Sequence, residues 1–413
     1  MQFKMNRKII IFLFIFILPV CLSAQIFSTP AELAVYVENA PSIYSRSAVL
    51  IDAETGVLLY SKNPNVQIPP ASLTKLMTIH LIMQAINEGK TTLDSFVEIT
   101  AESWAQSQPR GSSLMFLEPG QIVTLREIIL GLSVPSGNDA AVAAALHISP
   151  TMADFTSKMN SEAKQMGLFI TRFSEAAGIS SRNRTTAAEF ALFSRQYVNM
   201  YPNNLTEFHS VTSFAYPQKE NMPENRTSSS YQTIIQNNPN ALLNALPGVD
   251  GLKTGYIGAS GHNISLTAKR DQTRFILVLL GAGSAGQRTQ DGIHLLSWAF
   301  DNFKTVRPEI DYSKEAGLFT AQLWKGKADE AELTLAEPES FTSHISRNGS
   351  LKYETVITET LIAPLPAGYH AGYLYITDDQ GELCRKPLVT KEAYEQGNIF
   401  KRIWHSIVLM FKK

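Results

Sequence analysis

Ser72-Leu-Thr-Lys75 sets a hydroxyl and an amine three residues apart. On a helix, positions i and i+3 share a face, so the two side chains can meet. A serine hydroxyl becomes a nucleophile only beside a base, and Lys75 can be that base only as a neutral amine. Burial and a second cation nearby would both favour the neutral form. The serine also opens the expected helix, where free backbone N–H groups favour developing negative charge. The plain alternative is a capping serine and a solvated first-turn lysine. Against it stands a lysine that opens an otherwise apolar segment.

Two more triplets carry usable chemistry. Ser136-Gly-Asn138 follows Pro135 and precedes an Ala-rich stretch. A tight loop there can aim both polar side chains into a cleft, Ser136 to relay a proton and Asn138 to bind a substrate amide. Helix capping is the plain alternative, since Ser and Asn cap routinely. Lys253-Thr-Gly255 falls on an expected strand. There Lys253 can supply positive charge, Thr254 can hydrogen-bond a carboxylate, and Gly255 lets a substrate backbone come close. A solvent-facing polar strand residue is the alternative for that triplet. Alone, each triplet is weak. Ser136 follows Ser72 by 64 residues and Lys253 follows Ser136 by 117, and each sits in the context the chemistry needs: helix start, interhelical loop, strand.

The elements that must position them can be read from periodicity. Ser47 to Tyr60 reads as a hairpin around the turn signal Glu54-Thr-Gly56. After Pro69-Pro70, Ser72 to Glu88 reads as a helix apolar nearly all round, which belongs in a core. Helices are expected over Leu125 to Leu132, Asp139 to His147, Thr151 to Met166 and Thr185 to Tyr197, the last behind a Thr-rich start that can cap it. The polar stretch Asn203 to Asn240 reads as mostly loop. Strands follow at Gly248 to Tyr256, His262 to Lys269 and Thr273 to Leu280, with a turn at Asp271-Gln272, then a helix from Gln290 to Phe303. Helices gathered against an antiparallel sheet make an α+β domain. Short Thr/Val/Tyr-rich runs between 310 and 390 read as a small all-β sandwich.

The 413 residues, 44% of them hydrophobic, suffice for two domains. A net charge of −1 argues against nucleic acid as a partner, because phosphate binding needs a basic surface. The two cysteines, Cys21 and Cys384, have no partners at metal-ligand spacing, so no metal and no cofactor is expected. Lys4, Arg7 and Lys8 precede an apolar run from Ile9 to Val20, as in a secretory signal. Cleavage is placed after Ala24. A lipoprotein signal at Cys21 and an uncleaved anchor are the alternatives. At the other end, Phe400, Ile403, Trp404, Ile407 and Phe411 fall on one helical face, with Lys401, Arg402, His405 and Lys412 elsewhere. Such a helix lies in a membrane interface; an ordinary helix packed on the β-domain is the alternative.

Taken together, Pro70-Ala-Ser-Leu-Thr-Lys-Leu-Met77, Leu132-Ser-Val-Pro-Ser-Gly-Asn-Asp-Ala-Ala141 and Pro247-Gly-Val-Asp-Gly-Leu-Lys-Thr-Gly-Tyr256 are the ordered motif set of penicillin-recognising serine enzymes. The chain resembles the low-molecular-mass penicillin-binding proteins, specifically the serine-type D-alanyl-D-alanine carboxypeptidases, over roughly residues 30 to 413. The resemblance includes the β-domain opening Trp324-Lys-Gly-Lys327 and the terminal helix. It implies a signal peptide at 1–24, a transpeptidase-like α+β catalytic domain at 25–307, a β-sandwich at 308–392 and an amphipathic anchoring helix at 398–413. It also implies export to the outer face of the cytoplasmic membrane.

The implied roles are Ser72 as nucleophile toward the penultimate D-alanine, Lys75 as proton acceptor, and Ser136 and Lys253 in passing the proton to the departing D-alanine. Asn138 would hold the peptide. Backbone N–H groups of Ser72 and Tyr256 would form the oxyanion hole. Thr254, with Arg288, would take the terminal carboxylate, although a surface arginine is an equal reading of Arg288. The implied substrate is the peptidoglycan pentapeptide ending in D-Ala-D-Ala, and β-lactams would acylate the same serine. Some members have histidine after the Lys-Thr-Gly triplet, where this chain has Tyr256. Three rivals stand beside this reading. A D,D-endopeptidase shares the motifs. A class A β-lactamase would need a glutamate with asparagine four residues on, and none of Glu162, Glu175, Glu189, Glu207, Glu220 and Glu224 has it. A peptidoglycan-binding protein with a dead site is opposed by the intact Ser72, Lys75 and Lys253.

Overall fold

The computed structural model describes residues 27–223, 231–313 and 316–411. The expected leader at 1–24, with Cys21, lies outside them. The chain opens with α1 (Ala31–Val37), then β1 (Ser47–Asp52) and β2 (Leu58–Lys62). A 3₁₀ turn at Ala71–Leu73 leads into α2 (Thr74–Asn87), followed by α3 (Leu125–Ser133), α4 (Asn138–Ile148), α5 (Met152–Gln165) and α6 (Ala187–Met200). After β3 (Ser213–Tyr216), β4 (Ile234–Asn237) and the short α7 (Leu242–Ala245) come β5 (Val249–Ile257), β6 (Gly261–Arg270), β7 (Thr273–Ala282) and α8 (Ala285–Asn302).

The five strands β2-β1-β7-β6-β5 form one antiparallel sheet in that order. β1 and β7 are buried along almost their whole length, which is why their sequences are apolar runs and not alternations. Val49, Ile51, Ile276, Val278 and Leu280 join the helical block α2–α6, while Ala48, Leu50, Phe275, Leu277 and Leu279 join a second core with Leu33 of α1 and Leu295, Leu296 and Ala299 of α8. Each Val, Leu, Ile or Phe side chain so buried contributes about 1.5–3 kcal/mol. The sheet is thus covered on both faces, and β5 forms its edge against the 3₁₀ turn that carries Ser72.

The helix starts follow cap chemistry. Thr124 and Glu127 cap α3 reciprocally, Thr151 caps α5, and Thr186 accepts from the Glu189 N–H at the Thr-rich start of α6. α8 begins at Ala285, five residues before the expected Gln290, because Ser284 caps it through the Gln287 N–H. The stretch Asn203 to Asn240 is not all loop: it holds a π-type turn at Leu205–His209 and the β3–β4 pair.

β8 (Phe303–Val306) leaves α8 and pairs with β11 (Phe341–His344), after β9 (Thr320–Trp324) and β10 (Glu330–Leu335). Then come β12 (Lys352–Ile357), β13 (Leu361–Ile362), β14 (His370–Asp378), β15 (Gly381–Thr390) and α9 (Ile399–Phe411). Six strands lie in the order β12-β14-β15-β10-β9-β13. The β-domain is held to the catalytic part through Asp52, whose Oδ2 accepts from Thr305 (2.7 Å) and Thr342 (2.9 Å), and through Tyr36 stacked on His344 at 3.9 Å.

α9 touches the β-domain by its polar side. His405 Nδ1 accepts from the Lys325 N–H, and Lys401 pairs with Asp329. Its apolar residues Phe400, Trp404, Met410 and Phe411 are exposed. No helix among the described residues is long and apolar enough to cross a membrane.

Candidate active site

Lys75 lies in the first turn of α2 and is wholly buried. Three acceptors surround its Nζ: Ser72 Oγ at 3.1 Å, Asn138 Oδ1 at 2.7 Å and the Ala177 carbonyl at 2.7 Å. The i,i+3 meeting expected from the sequence is therefore made, although Ser72 sits in the 3₁₀ turn and α2 proper starts at Thr74. Burial pushes the Lys75 ammonium down to about 7, against Glu175 and Asp139, which pull it back up. A neutral amine is then available near neutral pH. Acylation of Ser72 is expected to rise with pH and reach half-maximum at about 7, because below that pH the proton blocks the lone pair. Second-order acylation rates by a labelled penicillin between pH 5 and 9 check this; a rising limb near the ordinary lysine range would refute it.

Asn138 opens α4, and its carbonyl oxygen is occupied by Lys75. The Nδ2 end is the one that can donate to a substrate. The loop before it is held by Asp139, whose carboxylate accepts from the N–H groups of Met115 (2.8 Å), Leu117 (3.0 Å) and Ala140 (2.9 Å). Burial raises the Asp139 carboxyl, and those N–H groups oppose the rise. Ser136 takes a left-handed backbone (φ 62°), and its Oγ is buried with no hydrogen-bond partner among the described residues. The chain places it two residues from Asn138, but it makes no hydrogen bond to Ser72, Lys75 or Lys253.

Lys253 is buried on β5, and its Nζ donates to the Thr254 carbonyl at 3.2 Å. Burial, with the charges of Lys75 and Arg288, pushes its ammonium well below the usual lysine range. The two amines therefore share one electrostatic neighbourhood. Thr254 is also buried. A Cβ at Gly255 would come within 2.9 Å of both the Pro70 carbonyl oxygen and the Ser72 nitrogen, so glycine there lets β5 lie against the nucleophile's turn. Tyr256 is exposed and stacks on His262 at 4.4 Å.

Arg288 is buried, not on the surface. It is 5% exposed in the first turn of α8, its Nη2 donates to the Pro239 carbonyl at 3.3 Å, and its Nε is unpartnered among the described residues. Burial pushes the guanidinium down to about 10. A surface arginine is excluded.

Sequence reasoning missed the residues that close the site from beneath. Glu175, Ala177, Gly178 and Asn183 form a turn under the Ser72–Lys75 segment, and no motif marks them. The available signal was a carboxylate two and three residues before N–H groups of Ala177 and Gly178, a turn-closing arrangement. His209 was also missed. It packs beside Gly251, bonds Tyr197 Oη at 2.8 Å, and is pushed down to about 3 by burial, with the Lys253 charge adding to the effect.

Residues 34–284 match the family described as D-alanyl-D-alanine carboxypeptidase. The chain belongs to that family. Residues 311–396 match the C-terminal domain of penicillin-binding protein 5. The D-alanyl-D-alanine carboxypeptidase DacF of Bacillus subtilis is 33% identical over 86% of this chain and 86% of its own length. DacD of Escherichia coli is 34% identical over 90% of this chain and 92% of its own. The crystal structure of penicillin-binding protein 5 from Haemophilus influenzae superposes with a TM-score of 0.74 at 27% identity, covering 87% of this chain and 99% of that one. The α+β transpeptidase-like fold followed by a β-domain is that of these proteins. As a member of the carboxypeptidase family the chain is a serine peptidase and a hydrolase, of a family that acts on peptidoglycan and binds penicillin.

Proposed function

We propose that this carboxypeptidase acts through Ser72, which attacks the carbonyl of the penultimate D-alanine while Lys75 Nζ takes its proton. The observation that carries this is a fully buried amine, pushed to about 7, at 3.1 Å from a serine hydroxyl. The tetrahedral oxyanion would be held by the N–H groups of Ser72 and Tyr256, each such donor contributing about 10²–10³ in rate; the close seat of Gly255 on the Ser72 nitrogen supports the pairing. The C–N bond then breaks, and the leaving D-alanine amine receives a proton by way of Ser136 and Lys253. Water hydrolyses the acyl ester and restores the Ser72 hydroxyl. Asn138 Nδ2 would hold the peptide. β-Lactams would acylate the same oxygen.

Purified protein is expected to release D-alanine from a peptide ending in D-Ala-D-Ala and to carry a labelled penicillin on Ser72, mapped by mass spectrometry. Neither product forming would overturn the reading. Faster cleavage of cross-linked muropeptide dimers than of the linear peptide would move it to an endopeptidase.

Arg288, with Thr254, would take the terminal carboxylate, since guanidinium geometry suits it and the buried Nε has no partner among the described residues. Arg288→Ala should raise KM about 10- to 100-fold, the loss of a charged hydrogen bond. A peptide with an amidated C-terminus should feel it much less. An equal effect on both peptides would remove the assignment.

α9 is the proposed peripheral anchor of an exported enzyme. A helix that packed on its own domain would bury its apolar face, whereas this one turns Lys401 and His405 to the β-domain and leaves Phe400, Trp404 and Phe411 outward. Removing residues 398–413 should shift the protein from membrane to soluble fraction with turnover intact. Retention on membranes by a chain shown to lack the leader would count against the anchor.

A further inference from the structure

Glu175 belongs to none of the motifs, yet both of its oxygens are filled. Oε2 accepts from the Ala177 N–H (2.7 Å) and Gly178 N–H (2.9 Å); Oε1 accepts from Gly178 (2.9 Å), Ser180 (3.3 Å) and Asn183 Nδ2 (2.9 Å). Asn183 ties this turn to α2 through Thr74 Oγ1 at 3.1 Å. The turn so closed offers the Ala177 carbonyl to Lys75 and the Ala176 carbonyl to Thr78 (2.8 Å), one helical turn further along.

We propose that Glu175 is a positioning residue for acylation: its carboxylate folds the turn that grips Lys75 and fixes a negative charge beside that amine. This rests on the reading of Lys75 as the base. The charged groups facing Lys75 are Glu175 from the turn, Asp139 from α4 and Lys253 from β5; the first two favour its ammonium, and the third opposes it. Glu175 is not the base for the deacylating water. A base needs a lone pair open to the water, and here backbone and amide N–H groups fill both oxygens.

The test uses the purified full-length enzyme, with acylation by fluorescent penicillin followed from pH 5 to 9. Glu175→Gln removes the charge and turns two amide hydrogens toward N–H donors. Acylation is expected to fall about 10- to 100-fold, as for a misplaced catalytic group. The rising limb should move to lower pH by roughly one unit, the effect of losing a nearby opposite charge. Glu175→Asp keeps the charge, so its limb should stay in place while the rate falls at least about tenfold through the shortened reach. A limb that stays put in Glu175→Gln would mean a merely structural brace and overturn the proposal. So would intact acylation with lost deacylation, which would make Glu175 the water's base. Melting curves report folding. If Glu175→Gln does not fold, Glu175→Asp carries the test, and a wild-type rate there overturns it. Lys75→Ala, run in parallel, separates the two readings. Its retained labelling would sink the base assignment, whereas its loss beside a wild-type Glu175→Gln would sink this inference alone.

Discussion

Ser72→Ala is expected to abolish the covalent penicillin adduct and to lower D-alanine release by about 10⁴-fold or more, with Lys75→Ala close behind and the double variant no worse than either. The two side chains are one device: the hydroxyl is inert without a base at hydrogen-bond distance, and the amine has no other proton to take. Burial makes the replacement of Lys75 more informative than a simple deletion. Lys75→Arg keeps a cation in the pocket, but a guanidinium does not deprotonate in proteins. It should therefore be as inactive as alanine if Lys75 serves as a base, and partly active if Lys75 serves only as fixed charge. Stopped-flow acylation at pH 8, above the value of about 7 to which burial pushes Lys75, separates these outcomes. An active arginine variant would overturn the base role.

The parts of the site legible in the sequence are those whose chemistry is local. Ser72 and Lys75 meet because helical turns place i beside i+3, and the apolar run behind Lys75 already implied burial. The order of β5, β6 and β7 and the all-round apolar α2 followed from periodicity alone. The illegible parts depend on long-range packing. Ala177 lies 102 residues from Lys75, and a backbone carbonyl leaves no trace in residue type. Glu175 was weighed only for an asparagine four residues on, while the asparagine that pairs with it stands eight residues on, at 183. Arg288 could not be decided because burial of a first-turn arginine depends on the Pro239 segment packed over it. In the β-domain, β15 is weakly marked in the sequence because Glu382, Arg385 and Lys386 interrupt its apolar pattern, and Lys386 is nonetheless buried, donating to the Ser340 carbonyl at 2.7 Å.

Gly178→Ala is expected to damage the site as severely as any change outside the motifs, lowering acylation by about 10²-fold or more. Gly178 has φ +84°, a conformation that costs a residue with a Cβ about 1–2 kcal/mol. Strain is the smaller effect. A Cβ there would overlap the Ala71 carbonyl group and approach the Ser72 nitrogen to 2.9 Å. Those are backbone atoms, which cannot swing aside as a side chain would, and Ala71 already has φ +53°. Either the Ser72 turn or the Glu175 turn must therefore move, and each supplies one of the contacts on Lys75 Nζ. Gly89→Ala isolates the strain: φ is +71° and nothing lies within 4 Å of the added carbon. That variant should lose about 1–2 kcal/mol of stability and acylate at the wild-type rate. Acylation kinetics and melting curves on the two variants separate geometry from stability. If Gly178→Ala behaves like Gly89→Ala, the turn beneath Ser72 is free to retreat, and the tight seat of Ala71 on Gly178 does not set the position of the nucleophile.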